Sequence, residues 1–356
     1  MADKFKIDGH KLNYHLERVV RWQNGENIYP IYMEISPSGL CNHRCTFCGL
    51  DFMGYQNVRL ETGRMETLLP ELGALGIRSI MYAGEGEPLL HPDICKLTEM
   101  TKSAGIDVAF TTNGVLMTED KAECLLRHSS WIKISCNGGD EESYQKIHRG
   151  KQGDFSRMLD NLRTAAELRK KRGYTCTLGL QLVLLPENYH SVLNLAKTAS
   201  AMGIDYLVIK PFSQHTQSLN RQYENLTYDG IQELEKQLRQ YERDSFKIIL
   251  RTETMNRWNA REKKYGKCLA LPFWSYIDSS GNVWGCSMFL GHEEFLCGNI
   301  YKMSFEQIWN SDQRKKMLNY VANDLDIHEC RINCRMDAVN RYLWDLQHPP
   351  EHVNFI

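Results

Sequence analysis

No stretch of this 356-residue sequence is apolar for long enough to cross a bilayer as a helix. The first twenty residues, MADKFKIDGHKLNYHLERVV, hold no apolar core of the kind a secretory signal needs. Neither sign of charge is in excess: 43 Lys and Arg against 44 Asp and Glu leave a formal net charge of −1. No global field draws nucleic acid or an anionic membrane, and neither is expected as a partner. Internal repeats and low-complexity runs are missing as well. With 42% apolar and 24% charged residues the balance is that of an ordinary globular protein, and a cytoplasmic location is expected.

Cysteine is plentiful instead, with twelve in the chain. A reducing compartment argues against structural disulfides. Cys95, Cys124, Cys136 and Cys176 are scattered among apolar residues and read as small buried hydrophobes. Cys41, Cys45 and Cys48 crowd into the stretch CNHRCTFCGL (41–50). Cys268, Cys286, Cys297, Cys330 and Cys334 lie in the last quarter.

Short β-rich runs alternate with helical stretches from about 31 to 215. The runs are IYMEIS (31–36), RSIMYA (78–83), DVAFTT (107–112), WIKISC (131–136), TLGLQLVLL (177–185) and DYLVIK (205–210). Helical stretches such as MLDNLRTAAELRKKRG (158–173) end in glycine before the next strand. Alternating β and α predicts parallel strands with right-handed crossovers, and six units predict an open or partial barrel. Chemistry then belongs at the C-terminal ends of the strands. Residues 1–30 read as an N-terminal extension and 31–215 as the barrel. A polar helix and a strand fill 216–260. A Cys-rich, glycine-punctuated domain follows over 261–356, with a hairpin at YIDSSGNVWGCS (276–287). The apolar pair ending HPPEHVNFI is expected to pack against the protein.

Cys41, Cys45 and Cys48 follow the first strand as Cys-x3-Cys-x2-Cys, and three thiolates on one loop chelate a single metal centre. A structural zinc site prefers a fourth ligand and a Cys-x2-Cys knuckle. A cubane iron–sulfur cluster with one open iron is the reading favoured over a zinc knuckle or buried thiols.

This loop, in this place, resembles the radical S-adenosylmethionine (SAM) superfamily, and the resemblance spans about residues 31–212. It implies an α/β fold, a partial (β/α)6 TIM barrel with a C-terminal SPASM or twitch domain. In that family the three cysteines hold a [4Fe–4S] cluster whose fourth iron chelates SAM, and reductive cleavage yields a 5′-deoxyadenosyl radical. Other motifs agree. AGEGEPLLHP (83–92) follows strand two, where the family has Gly-Glu-Pro; Gly86, Glu87 and Pro88 match, and Glu85 stands where glycine is common. TTNG (111–114) and SCNG (135–138) follow strands three and four. The resemblance implies SAM contacts from Phe47, Gly86, Glu87, Thr112, Asn113, Ser135, Asn137 and Gln181. Ordinary turn chemistry is the competing reading for Thr111, Thr112 and Asn113.

Cys268, twelve residues, Gly281, four residues and Cys286, then Cys330 and Cys334, resemble the start and end of the twitch extension. Four thiolates imply one auxiliary [4Fe–4S] cluster, with structural zinc as the alternative. A full SPASM domain has seven cysteines, so the series here is shortened; Cys297 is expected to be buried and spare. The implied function is hydrogen abstraction from a small polar substrate such as a sugar, aminosugar, cyclitol or nucleoside. Oxidation of a carbinol would leave the second electron to the auxiliary cluster, as in 2-deoxy-scyllo-inosamine dehydrogenase-like enzymes. Dehydration, epimerisation and decarboxylation are alternatives. A peptide-modifying maturase is another, although about thirty residues before strand one are too few for an independent peptide-recognition domain. An external one-electron donor such as flavodoxin or ferredoxin is implied. Lys210, Glu253 and Asp337 are the expected catalytic side chains, with His215 and Arg251 as further substrate contacts.

Overall fold

The computed structural model describes residues 4–7 and 9–355. Ten strands form one sheet: β1 Tyr32–Ile35, β2 Ser79–Tyr82, β3 Asp107–Thr112, β4 Ser129–Ser135, β5 Thr177–Leu184, β6 Tyr206–Pro211, β7 Lys247–Leu250, β8 Trp274–Ile277, β9 Asn282–Trp284 and β10 Leu296–Asn299. Their order is β10-β9-β8-β1-β2-β3-β4-β5-β6-β7. The six units expected from the alternation are β1–β6, each pair parallel. The strand expected after the polar helix is β7, which adds to β6 in parallel as a seventh.

The sheet does not stop at residue 260. β8 lies parallel to β1, with Tyr32 opposite Trp274 and Ile35 opposite Ile277. The expected hairpin is β8–β9, closed by Gly281 at φ +80°, where a Cβ would be strained. The Cys-rich region is therefore hydrogen-bonded along the first barrel strand.

Helices cover the outer face. Asp154–Arg172 ends at Gly173, φ +71°, whose N–H returns to the Arg169 carbonyl as a C′ glycine should. Strand parity separates two environments. In β4, Ile132 and Ile134 are buried under the helices, whereas Trp131, Lys133 and Ser135 face the interior and are only partly covered. The tail departs from expectation. Phe355 is 83% exposed and Val353 50% exposed, so this end of the chain does not pack; its final Ile356 lies outside the described residues. No described helix is long and apolar enough to cross a membrane.

Candidate functional site

The first three cysteines lie on the loop after β1, and the loop after β2 is pressed against it. A Cβ on Gly86 would fall 2.1 Å from the Ser38 carbonyl oxygen and 2.4 Å from that of Leu40. Only glycine permits this approach. Burial and the charge of nearby Glu87 push the Cys41 thiol up to about 12. Burial and its neighbours Cys48 and Cys41 raise Cys45 further, and burial raises Cys48 as well. Thiols so crowded ionise together only when a cation joins them, as iron would. The donor set fits a three-thiolate cluster.

Behind Cys45 stands His148, whose Nδ1 is 3.4 Å from its Sγ. The other ring nitrogen, Nε2, receives the Asn137 backbone N–H at 3.0 Å and the Asn137 side-chain amide at 3.1 Å. An acceptor at Nε2 places the proton on Nδ1, so His148 donates to Cys45. Burial, then His43, hold this ring neutral. His43, Cys45 and His148 bring their donor atoms within 4.8 Å of one another. His43 Nε2 is already paired with Asp154 at 3.1 Å, and His148 with Asn137. The two rings support the cysteine loop rather than offering a separate metal cage. Tyr55 also bonds Cys48, and the Arg44 guanidinium lies 4.0 Å over its ring.

Several residues expected to contact SAM bond neighbouring loops and strands. The Glu87 carboxylate accepts from the Thr112 hydroxyl, from Asn113 N at 2.8 Å and from Leu89 N at 3.0 Å. Asn113 Nδ2 donates to Asn42 on the cysteine loop at 2.7 Å. Asn137 Oδ1 accepts from Val183 N at 2.6 Å. Glu85 is buried and accepts from the Tyr276 hydroxyl at 2.6 Å and Ser279 N at 2.8 Å, tying the β2 loop to the β8–β9 hairpin. Ser135 ends β4 facing the interior, and Phe47 lies edge-on to His148 with ring centres 6.0 Å apart.

Cys268, Cys286, Cys330 and Cys334 come together around one cavity of about 180 Å³, with Tyr265 and Trp274 in its wall. Burial and their mutual charge push Cys268 up to about 12, and burial lifts Cys330 to about 11. Four converging thiols fit an auxiliary cluster by the same argument. Cys297 is buried and does not line this cavity. Gly49 and Leu50, next to Cys48, do line it, so the two cysteine groups are neighbours. The stretch after β6, which carries the expected substrate contact His215, bridges them. Ser218 Oγ donates to the Cys48 carbonyl at 3.2 Å, and Gln217 donates to the Met288 carbonyl at 3.0 Å. His215 lines the cysteine-walled cavity, and its Nε2 lies 3.3 Å from the Ser287 carbonyl.

A second cavity, about 370 Å³, fills the barrel interior. Lys210, Arg251 and Asp337, read from the sequence as substrate-site residues, line it, and so does Gln181, read as a SAM contact. Glu253 does not; it is exposed on the helix Thr252–Ala260. Asp337 pairs with Arg257 at 3.5 Å and Arg341 at 3.2 Å. Sequence reasoning missed Lys133, Arg331 and Arg335, which share this wall. The signal for Lys133 was present: a lysine at an inward position of a barrel strand. Burial and nearby Arg251 bring its ammonium down to about 8. Burial, then Lys133, Arg251 and Arg331, hold Lys210 well below the lysine range. Arg331 and Cys334 line both cavities, so the two adjoin.

The radical SAM superfamily profile matches residues 35–199, and that of an iron–sulfur cluster-binding domain, SPASM, matches 268–335. A GTP 3′,8-cyclase of Chlorobaculum tepidum is 28% identical over 187 residues, 52% of this chain and 55% of its own length. The chain thus spans about half of that relative. An AdoMet-dependent heme synthase of Methanosarcina barkeri is 23% identical, over 76% of this chain and 79% of its own. Among solved structures, Streptococcus suis SuiB bound to its precursor peptide SuiA superposes with a TM-score of 0.64 at 17% identity, covering 84% of this chain and 69% of SuiB. At that identity the likeness is one of fold.

Proposed function

Because the chain belongs to the radical SAM superfamily and carries a SPASM domain behind its barrel, we propose that it abstracts a hydrogen atom from a small polar molecule held in the barrel interior. The two domains hold a SAM-binding [4Fe–4S] cluster and an auxiliary iron–sulfur cluster. Bound SAM and the first cluster supply a 5′-deoxyadenosyl radical. The residues of the chain do the rest. Cys41, Cys45 and Cys48 would hold the first cluster, which with SAM bound would supply the radical chemistry. Glu87, Thr112, Asn113 and Asn137 shape that site by fixing the strand-end loops, and Gly86 keeps them close. Phe47 and Ser135 border the SAM site. Gln181 and Lys210 face the substrate, and Asp337 holds Arg257 in the cavity wall.

The observation that carries this reading is the shared wall. Arg331 and Cys334 belong both to the barrel cavity and to the cavity ringed by Cys268, Cys286, Cys330 and Cys334. A substrate there lies beside the four cysteines that would hold an auxiliary cluster, so we favour net oxidation of a carbinol: a cluster held there would accept the second electron, and the polar lining the hydroxyl proton. A flavodoxin or ferredoxin supplies the first electron. The relative named for GTP and a ring-closing reaction favours a second reading, rearrangement of a nucleotide without net oxidation. The test is anaerobic reconstitution followed by SAM cleavage with deuterated candidate substrates. Deuterium in 5′-deoxyadenosine with a ketone product supports oxidation; deuterium with an isomeric product supports the second reading. Unlabelled 5′-deoxyadenosine with all small molecules, but label from a peptide, overturns both. If Cys45→Ala keeps its iron, sulfide and SAM cleavage, the radical SAM site is misplaced.

A further inference from the structure

Six cationic side chains line the barrel cavity: Lys133, Lys210, Arg251, Arg257, Arg331 and Arg335. Among the described residues of that lining, Asp337 is the one carboxylate. Some of these charges are answered. Arg257 meets Asp337, and Arg335 meets Glu34. Arg331 donates to the Ser213 hydroxyl at 3.1 Å and to its carbonyl at 3.2 Å, a neutral partner. Lys133 and Lys210 have no hydrogen-bond acceptor and no carboxylate among the described residues; the Trp131 ring centre lies 5.4 Å from the Lys133 Nζ.

Two lysines without counter-ions inside a barrel are costly, because burial disfavours an ammonium and each repels the other. Both line the same cavity of about 370 Å³, at different depths in the barrel. Lys133 stands opposite Gly179 on β5, and Lys210 opposite Val183 two turns of the pleat further along the same strand. Each ammonium brings a charge that a ligand must balance, and Arg331 adds a third donor group within reach of both cavities. One carboxylate would leave charge uncompensated; a phosphoryl dianion or a diphosphate matches it.

On the reading that this cavity is the substrate site, we infer that the substrate is phosphorylated and that Lys133 and Lys210 hold its phosphoryl group inside the barrel. Trp131 and Tyr32 line the same cavity and add aromatic surface for the remainder of the molecule. A nucleotide and a sugar phosphate share the phosphoryl chemistry, and the experiment separates them.

Anaerobically reconstituted protein is titrated with pyrophosphate, a panel of nucleoside mono- and diphosphates, hexose phosphates and the matching unphosphorylated compounds, at constant ionic strength. Binding is read by calorimetry and by the shift in melting temperature. Phosphorylated compounds should bind at least about tenfold more tightly than their unphosphorylated partners, since hydrogen bonds to charged groups carry roughly that much. Nucleotides ahead of hexose phosphates identify the first source, and the reverse order the second. Lys133→Met and Lys210→Met should each lose about tenfold or more in that binding, while the ligand-free variants melt higher than the parent, having shed a buried charge. A merely structural lysine would behave oppositely, melting lower with binding intact. Lys197→Met, exposed on an outer helix, controls for net charge. Equal binding with and without phosphate, or binding unchanged in both cavity variants, overturns the inference, as does a preference for acidic peptides. SAM cleavage by dithionite-reduced protein is measured in the same preparations. Cleavage without phosphate-dependent binding sinks the inference alone; phosphate-dependent binding without cleavage sinks the radical SAM reading alone.

Discussion

His148 shows how one side chain serves another at the residue scale. Its ring is fixed from one side by Asn137 and presents Nδ1–H to Cys45 Sγ at 3.4 Å. Hydrogen bonds to ligating sulfur set the potential of an iron–sulfur centre and help retain it. His148→Ala should therefore leave iron in the protein but slow reductive SAM cleavage by about tenfold or more, with an altered spectroscopic signature of the reduced cluster. His148→Gln, which keeps a donor, should recover part of the rate. Equal rates and unchanged spectra in all three proteins would mean that this hydrogen bond does not act on the cluster. The sequence shows His148 without distinguishing it from any polar residue near a helix end. Only the fold sets it against a cysteine 103 positions earlier.

The strand-end loops work as a cross-linked set at the scale of elements. Glu87 staples the β2 loop to the β3 loop, Asn113 reaches the cysteine loop, and Glu85 reaches the β8–β9 hairpin. Gly86 lets these loops close, with carbonyl oxygens lying where its Cβ would be. Gly86→Ala must push the cysteine loop away. We expect a loss of about 1–3 kcal/mol in stability and poor iron incorporation, measured by thermal melting and iron-to-protein ratio. A variant that melts and loads iron like the parent would show the loop to be more yielding than its contacts suggest. The motifs in these loops were legible from the sequence, since spacing after each strand located them. Their duties were less so. Thr112, Asn113 and Asn137 were expected to touch the cofactor, and their side chains bond neighbouring backbone and loops. Short polar side chains serve turns and ligands equally well, and periodicity does not distinguish the two.

The continuous sheet matters most at the scale of the whole molecule. β8 pairs with β1, and β7 closes the other flank beyond β6. The four later cysteines are thereby carried to the mouth of the barrel, next to Gly49 and Leu50. Two sets of thiols converge in the folded chain, so metal binding to either favours the folded state. The reconstituted protein should melt several degrees above the apo protein. Cys286→Ala should lose the part of that gain due to the auxiliary cluster while keeping the part due to the first. Identical melting of apo and loaded protein would mean that neither centre is coupled to folding.

Local chemistry let the sequence determine a good deal by itself. Alternating runs specified parallel strands and helices because period and turn residues are properties of neighbours in the chain. Three cysteines in eight residues identified a chelating loop because a loop that short keeps its thiols together in any fold. Long-range placement was left to the tertiary structure. It joined β8 to β1, gathered Cys268, Cys286, Cys330 and Cys334 from 67 positions of chain into one wall, left Glu253 in solvent, and turned Lys133 inward beside Lys210. Those outcomes depend on the register and closure of a sheet, which are settled by the burial of its whole surface and not by any segment alone.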